Sequence, residues 1–253
     1  MSDVHPVAAA GFGAAADVYE RARPSYPEEA VRWIAERIHL DERSTVADVG
    51  AGTGKLTRML VATHARIVAV EPVEAMRAVL LDRVPGSEVL DGTAEAIPLP
   101  DASADAITVA QAFHWFDHER AIPELHRVLK PGGWLVLIWN SRDMNDPLQR
   151  GIEDLLAPLR DVAPYQLGEE WREPLEASSL FGPPEEAWFS IAQEMTAAGV
   201  GERVASTSFV AAMAPDDRAR LLERVRQLTA GREEPFAFPY VTEVYLARSN
   251  AST

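Results

Sequence analysis

Apolar positions along the chain alternate between two periods. Ala30, Val31, Ile34, Ala35 and Ile38 recur at helical spacing behind Pro27, with Glu28 and Glu29 in the first turn, and predict an amphipathic helix over 28–38. A short β-type run, 45–49, stops at Gly50, and 55–62 returns to the helical period with Leu56, Met59 and Leu60 on one face. Residues 67–70 form a continuous apolar run ending at Glu71, the pattern of a strand buried on both faces of a parallel sheet. A helix over 73–82, strands over 88–90 and 106–110, a helix over 119–129 with Asp117 as its N-cap, and a strand over 134–139 follow in turn. This alternation predicts an open parallel sheet with helices on both faces.

After Asn140 the rhythm changes. Residues 141 to about 185 carry Pro and aromatic residues with no clear strand, which predicts a helical insertion or cap. Strands are expected over 187–193 and 242–247, with a helix over 215–228 that opens on Asp216 and Asp217.

Composition narrows the function classes. With 47% hydrophobic and 25% charged residues the chain is ordinary globular protein, and no apolar stretch approaches the ~20 residues of a membrane span. Cysteine is absent, which excludes disulfides, thiolate metal sites and a cysteine nucleophile. The net charge is −15, Lys55 and Lys130 are the only lysines, and the arginines are interleaved with acids, so a bulk RNA or DNA partner is not expected. Asp3 and His5 stand where an export signal would want basic residues, which makes a cytoplasmic location the default.

The chemistry centres on Asp48-Val49-Gly50-Ala51-Gly52-Thr53-Gly54. A strand that ends in a glycine turn and feeds a helix makes a binding crevice, and glycines let a ligand approach the backbone. A carboxylate closing the second strand, here Glu71, is placed to accept from two ribose hydroxyls. The dinucleotide fingerprint fails because Lys55 stands where its third glycine should fall; the P-loop fails because Val49 and Leu56 replace its first glycine and its Ser or Thr. What remains is an acidic residue two positions before G-x-G-x-G.

That segment resembles motif I of class I S-adenosylmethionine-dependent methyltransferases, especially the type 11 family, and four further segments agree in order and spacing. They are Val70-Glu71-Pro72, Asp91 through Pro98, Gln111 through Phe116, and Leu129 through Gly133. More loosely, the Tyr-Arg-Pro-rich start and the 113–116 aromatics resemble small-molecule methyltransferases of the trans-aconitate type. The family resemblance implies a Rossmann-like, seven-stranded, mostly parallel sheet whose last strand is antiparallel. It further implies a single domain: N-terminal arm and helix 1–44, cofactor-binding core 45–140, helical cap 141–186, and 187–253 completing the sheet. Its cofactor would be S-adenosylmethionine, leaving as S-adenosylhomocysteine.

Carried over, Asp48 would lie near the cofactor amino group, directly or by fixing the loop. Gly50, Ala51, Gly52 and Thr53 would admit the methionine portion, beside Gln111 and Ala112. Glu71, with Pro72 and Met76, would hold the ribose, and Thr93, Ala94 and Glu95 would line the adenine. Many relatives carry Asp at the position of Thr93, so a backbone contact is the surviving expectation there. Tyr19, Arg23 and Tyr26 either close over the cofactor carboxylate, since Arg suits bidentate pairing, or form a surface arm held by aromatic packing.

The candidate acceptor-side residues are Tyr26, His114, Trp115, Asn140 and Tyr165. His114 follows a strand end and is the candidate general base, needed only if the acceptor must lose a proton; the alternative is a ring packed among Phe113, Trp115 and Phe116. Spacing supports neither a metal site nor a G-x-S-x-G hydrolase. Three functions stay open: methyl transfer to a small molecule, with a carboxylate-bearing acceptor among the options, cofactor binding without turnover or as an assembly partner, and methylation of tRNA or protein.

Overall fold

The computed structural model describes Glu20 and residues 23–162 and 171–250. Strand β1 (Thr45–Val49) is central, parallel to β2 (Arg66–Val70) on one side and β4 (Ala104–Ala110) on the other, with β3 (Glu88–Leu90) outside β2. Strand β5 (Leu129–Arg142) extends the parallel run, and β7 (Phe236–Arg248) lies antiparallel between β5 and β6 (Glu185–Met195). The order β3-β2-β1-β4-β5-β7-β6 gives the expected seven-stranded, mostly parallel, Rossmann-like sheet with its last strand antiparallel. Because the winding reverses at the centre, the carboxyl ends of β1 and β4 flank a topological switch point, where a crevice opens.

Neighbouring residues of the central strands face opposite layers. Val46, Ala106, Val136 and Ile138 pack with Val31, Ile34, Leu56 and Leu60 of helices α1 (Glu28–Arg37) and α2 (Lys55–Leu60). Ala47, Val49, Ile107, Val109 and Leu135 pack with Ala121, Ile122 and Leu125 of α4 (His118–Val128). Helix α3 (Glu74–Arg83) covers β2 through Leu80. Burial on both faces is why these strands read as unbroken apolar runs.

The outer strands run past their apolar stretches. Asn140, Ser141 and Arg142 of β5 pair with Thr242, Val241 and Tyr240, so the backbone ladder carries the strand beyond the run that ends at Trp139. Lys130 through Gly133, which fell between the expected helix and the expected strand, lies within β5 where its register against β4 slips between Ala104 and Ala106. Asp117 does occupy the N-cap of α4 but its side chain makes no capping bond. Its N–H instead donates to Glu95 at 2.9 Å.

The helices after β5 bury into two cores. Leu148, Ile152 and Leu156 of α5 (Pro147–Leu156) pack with Leu221 and Val225 of α9 (Pro215–Thr229). Leu175 of α6 (Arg172–Ala177) packs instead with Trp171 and Tyr245 beneath the sheet. Between β6 and α9 lie α7 (Ala197–Ala205) and α8 (Ser208–Ala211), which the apolar pattern did not announce. Gly199 and Gly201 lower helix propensity in α7, and Thr196 caps it by accepting from the Gly199 N–H.

Candidate active site

The glycine turn is built by hydrogen bonds across the switch point. The N–H groups of Gly50 and Ala51 both donate to the Val70 carbonyl, at 2.8 and 3.2 Å, tying the end of β1 to the end of β2. Gly50 and Gly52 both have positive φ, 69° and 58°, which glycine adopts at no steric cost. Their surroundings differ. A Cβ on Gly50 would stand 2.8 Å from the Ala112 Cβ, whereas one on Gly52 would meet nothing within 4 Å. Gly50 therefore serves close packing, and Gly52 faces open space.

Asp48 is 1% exposed and sits beside Thr108 in the β1–β4 register. Its carboxylate accepts from the hydroxyls of Thr57 (2.6 Å) and Thr108 (2.8 Å), pinning α2 to β4 behind the turn. Burial pushes its pKa up to about 6 against the opposing pull of those hydrogen bonds.

Glu71 closes β2, 6% exposed. One carboxylate oxygen accepts from the Gly52 N–H and the other from the Val73 N–H, each at 2.9 Å. Burial holds its pKa above the ordinary carboxylate value, although both N–H groups oppose that shift. The acid thus stands against the open side of the turn with a second lone pair left on each oxygen.

The 93–97 loop folds on a Thr93–Ala96 bridge. Ala94 and Met76 are buried in the interior, so their side chains serve packing, while Pro72 is half-buried at the start of α3. Glu95 accepts from Asp117, and the Ile97 N–H donates to Glu124 at 2.7 Å, fastening the loop to α4.

Glu20 lies over the turn, accepting from the Thr53 hydroxyl at 2.6 Å and from Arg58 at 2.7 Å, while Lys55 donates to its carbonyl at 2.7 Å. Burial alone would raise the Glu20 pKa, but those two hydrogen bonds and the charges of Lys55 and Arg58 outweigh it and lower it.

A small pocket opens at the ends of β4 and β5, lined by Arg23, Pro24, Tyr26, Lys55, Gln111, Asn140 and Arg203. Four of the residues expected in the site meet here: Arg23, Tyr26, Gln111 and Asn140. Gln111 holds a strained φ of 56°, with its N–H on the Ile138 carbonyl and its amide on the Asn140 carbonyl. Asn140 reaches the wall, but its side-chain amide already donates to the Ser25 carbonyl (3.0 Å) and accepts from Thr242 (2.6 Å).

His114 and Trp115 stand beside this pocket, on the 3₁₀ turn Phe113–Trp115, and are not among its lining residues. The two rings are 5.0 Å apart, and His114 Nδ1 is buried with no hydrogen-bond partner among the described residues. Burial first, then the charges of Arg23 and His118, lower the His114 pKa to about 4, so its ring is neutral at pH 7. Tyr19 and Tyr165 lie outside the described residues. Sequence reasoning missed Glu20 and Arg203, and did not place Lys55 in the pocket; an arginine in the Val200–Val204 apolar stripe of α7 was the available signal.

The methyltransferase domain family matches residues 47–137, from β1 into β5. An uncharacterized methyltransferase of Mycobacterium tuberculosis is 40% identical over 236 residues, 91% of this chain and 92% of that protein. The chain belongs to the class I S-adenosylmethionine-dependent methyltransferases. A methyltransferase-like protein of Schizosaccharomyces pombe is 42% identical to this methyltransferase over 156 residues, 61% of each chain. The solved structure of a candidate type II methyltransferase from Anaeromyxobacter dehalogenans has a TM-score of 0.67 at 25% identity, covering 90% of this methyltransferase and 97% of that chain. The residues present fit the family's cofactor: Gly52 leaves an open cradle and Glu71 offers it two acceptor oxygens.

Proposed function

We propose that this methyltransferase moves the sulfonium methyl of S-adenosylmethionine to a small-molecule acceptor, leaving S-adenosylhomocysteine. The observation that carries this reading is Glu71 braced on the Gly52 N–H at the switch point, beside a glycine whose Cβ direction is open. When bound, the cofactor supplies a methyl group already activated by the positive sulfur. An acceptor lone pair forms the new bond to that carbon as the carbon–sulfur bond breaks and its electrons return to sulfur.

The chain's own task is then alignment. Glu71 accepts from the ribose hydroxyls, Gly52 and Thr53 border the methionine portion, and Thr93 with the Ala94 backbone borders the adenine. Asp48 acts by holding the turn. Arg23 lines the pocket with Lys55 and Gln111 and would hold the cofactor carboxylate, with Gln111 left to border the acceptor. The net charge of −15 supports a small acceptor over a nucleic acid. Calorimetric titration of S-adenosylhomocysteine should give micromolar affinity, followed by methyl transfer from labelled S-adenosylmethionine in a screen of small acids, amines and phenols. No binding overturns the cofactor assignment; binding with no transfer to any acceptor leaves a binding protein in place of an enzyme.

His114 is the base if the acceptor loses a proton. With its pKa lowered to about 4 it is neutral, and competent to accept a proton, from about pH 5 upward. His114→Asn is expected to lower kcat by roughly 100-fold and to change affinity for S-adenosylhomocysteine less than twofold. The wild-type kcat should show no titration of this group between pH 6 and 8. An unchanged kcat in the variant makes His114 a packing residue.

A further inference from the structure

Arg203 sits in the middle of α7, on the stripe that also carries Val200 and Val204, and is only 6% exposed. Its Nε and Nη1 are buried without a hydrogen-bond partner among the described residues, and no ion pair among them reaches it. A guanidinium keeps its charge in proteins, and burying one without a partner is strongly unfavourable. Yet Arg203 forms part of the wall of the pocket at the ends of β4 and β5. The other two cations there have acceptors: Lys55 on the Glu20 carbonyl at 2.7 Å, and Arg23 on the Ser206 carbonyl at 3.3 Å.

Resting on the methyl-transfer reading, we propose that Arg203 is the anion subsite for the acceptor, and that the acceptor carries a carboxylate paired with its guanidinium. Fork-shaped donors match a carboxylate in two parallel hydrogen bonds, and a buried pair of this kind is strengthened by the low local dielectric. The position favours acceptor over cofactor. Glu71 and Gly52 mark the cofactor at β1 and β2, whereas Arg203 arrives on α7, whose apolar stripe packs with α5 and α9, and Asn140 beside it lies two residues before the end of β5. Strands are spaced roughly 4.8 Å apart, so β2 and β5 stand about 14 Å apart, room for cofactor and acceptor end to end.

The test uses the protein saturated with S-adenosylhomocysteine. Calorimetry with a panel of small mono- and dicarboxylates, succinate among them, and the matching amides should show binding of acids and none of amides. Arg203→Met should weaken acid binding at least tenfold, leave S-adenosylhomocysteine affinity within twofold of wild type, and unfold at the same or a higher temperature, because an unpaired buried charge has been removed. Arg203→Lys should restore part of the acid affinity. If wild type binds S-adenosylhomocysteine but no acid, or if Arg203→Met binds acids as wild type does, the subsite is wrong while the cofactor reading stands. If Arg203→Met loses S-adenosylhomocysteine instead, the arginine belongs to the cofactor carboxylate and the proposal falls. Failure of wild type to bind S-adenosylhomocysteine at all would instead remove the reading on which the proposal rests.

Discussion

Glu71→Ala is expected to bind S-adenosylhomocysteine at least 100-fold more weakly than wild type, about 3 kcal/mol, with a much smaller change in unfolding temperature. The two effects separate because the carboxylate acts in opposite directions on stability. Burial keeps its pKa raised, so at neutral pH the ionised group costs the folded state something. Removing it relieves that cost but strips partners from the Gly52 and Val73 N–H groups, each bonded at 2.9 Å. Those two changes oppose one another in the fold. On the proposed reading nothing opposes the loss in the complex, since two ribose hydroxyls would lose their acceptors and the Gly52 edge its brace. Glu71→Gln is no benign control, because its amide nitrogen would meet a backbone N–H donor to donor. Calorimetry of both variants, with thermal melts beside it, checks the prediction; micromolar binding retained in Glu71→Ala would remove Glu71 from the cofactor site.

How much of this could be read from the chain depends on what buries each residue. Strands β1 and β3 match their expected spans, 45–49 and 88–90, because a run between turn residues carries its own boundaries. Asn140, Ser141 and Arg142 did not read as strand because they are held by the β7 ladder and not by an apolar face. The five collinear segments located the crevice, yet they could not tell Gly50 from Gly52. That distinction lies in Ala112, which approaches Gly50 from the end of β4 and leaves Gly52 open. Asn140 does line the pocket, but only the tertiary structure shows its amide occupied by Ser25 and Thr242. Arg203 was invisible for a related reason. Two glycines blur the helix that carries it, and the pocket wall it shares with Arg23, Tyr26, Lys55 and Gln111 is assembled from segments far away in sequence.

Asp48 shows the same limit, since a lone acid at a strand end could touch the ligand or only hold the loop. Its two hydroxyl partners support the second role. Asp48→Ala is expected to destabilise the protein by roughly 2–6 kcal/mol, because two buried hydroxyls lose their acceptor at about 1–3 kcal/mol each. Asp48→Asn keeps an oxygen for one threonine and an amide that donates to the other, so its stability at pH 7 should lie within about 1 kcal/mol of wild type. The pH dependence distinguishes the two forms. With the folded pKa raised from 3.8 to about 6, the folded protein holds a proton that the unfolded chain has already released. Wild-type stability attributable to this group therefore falls as pH rises from about 4 to about 6, by roughly 3 kcal/mol in all, and is level above that. Asp48→Asn has no such slope, and denaturant titrations at pH 4.5 and 7 would expose the difference. Affinity then separates the roles: if Asp48 only positions the turn, Asp48→Asn binds S-adenosylhomocysteine within a few-fold of wild type, whereas a loss as deep as that of Glu71→Ala would put the carboxylate in direct contact with the cofactor.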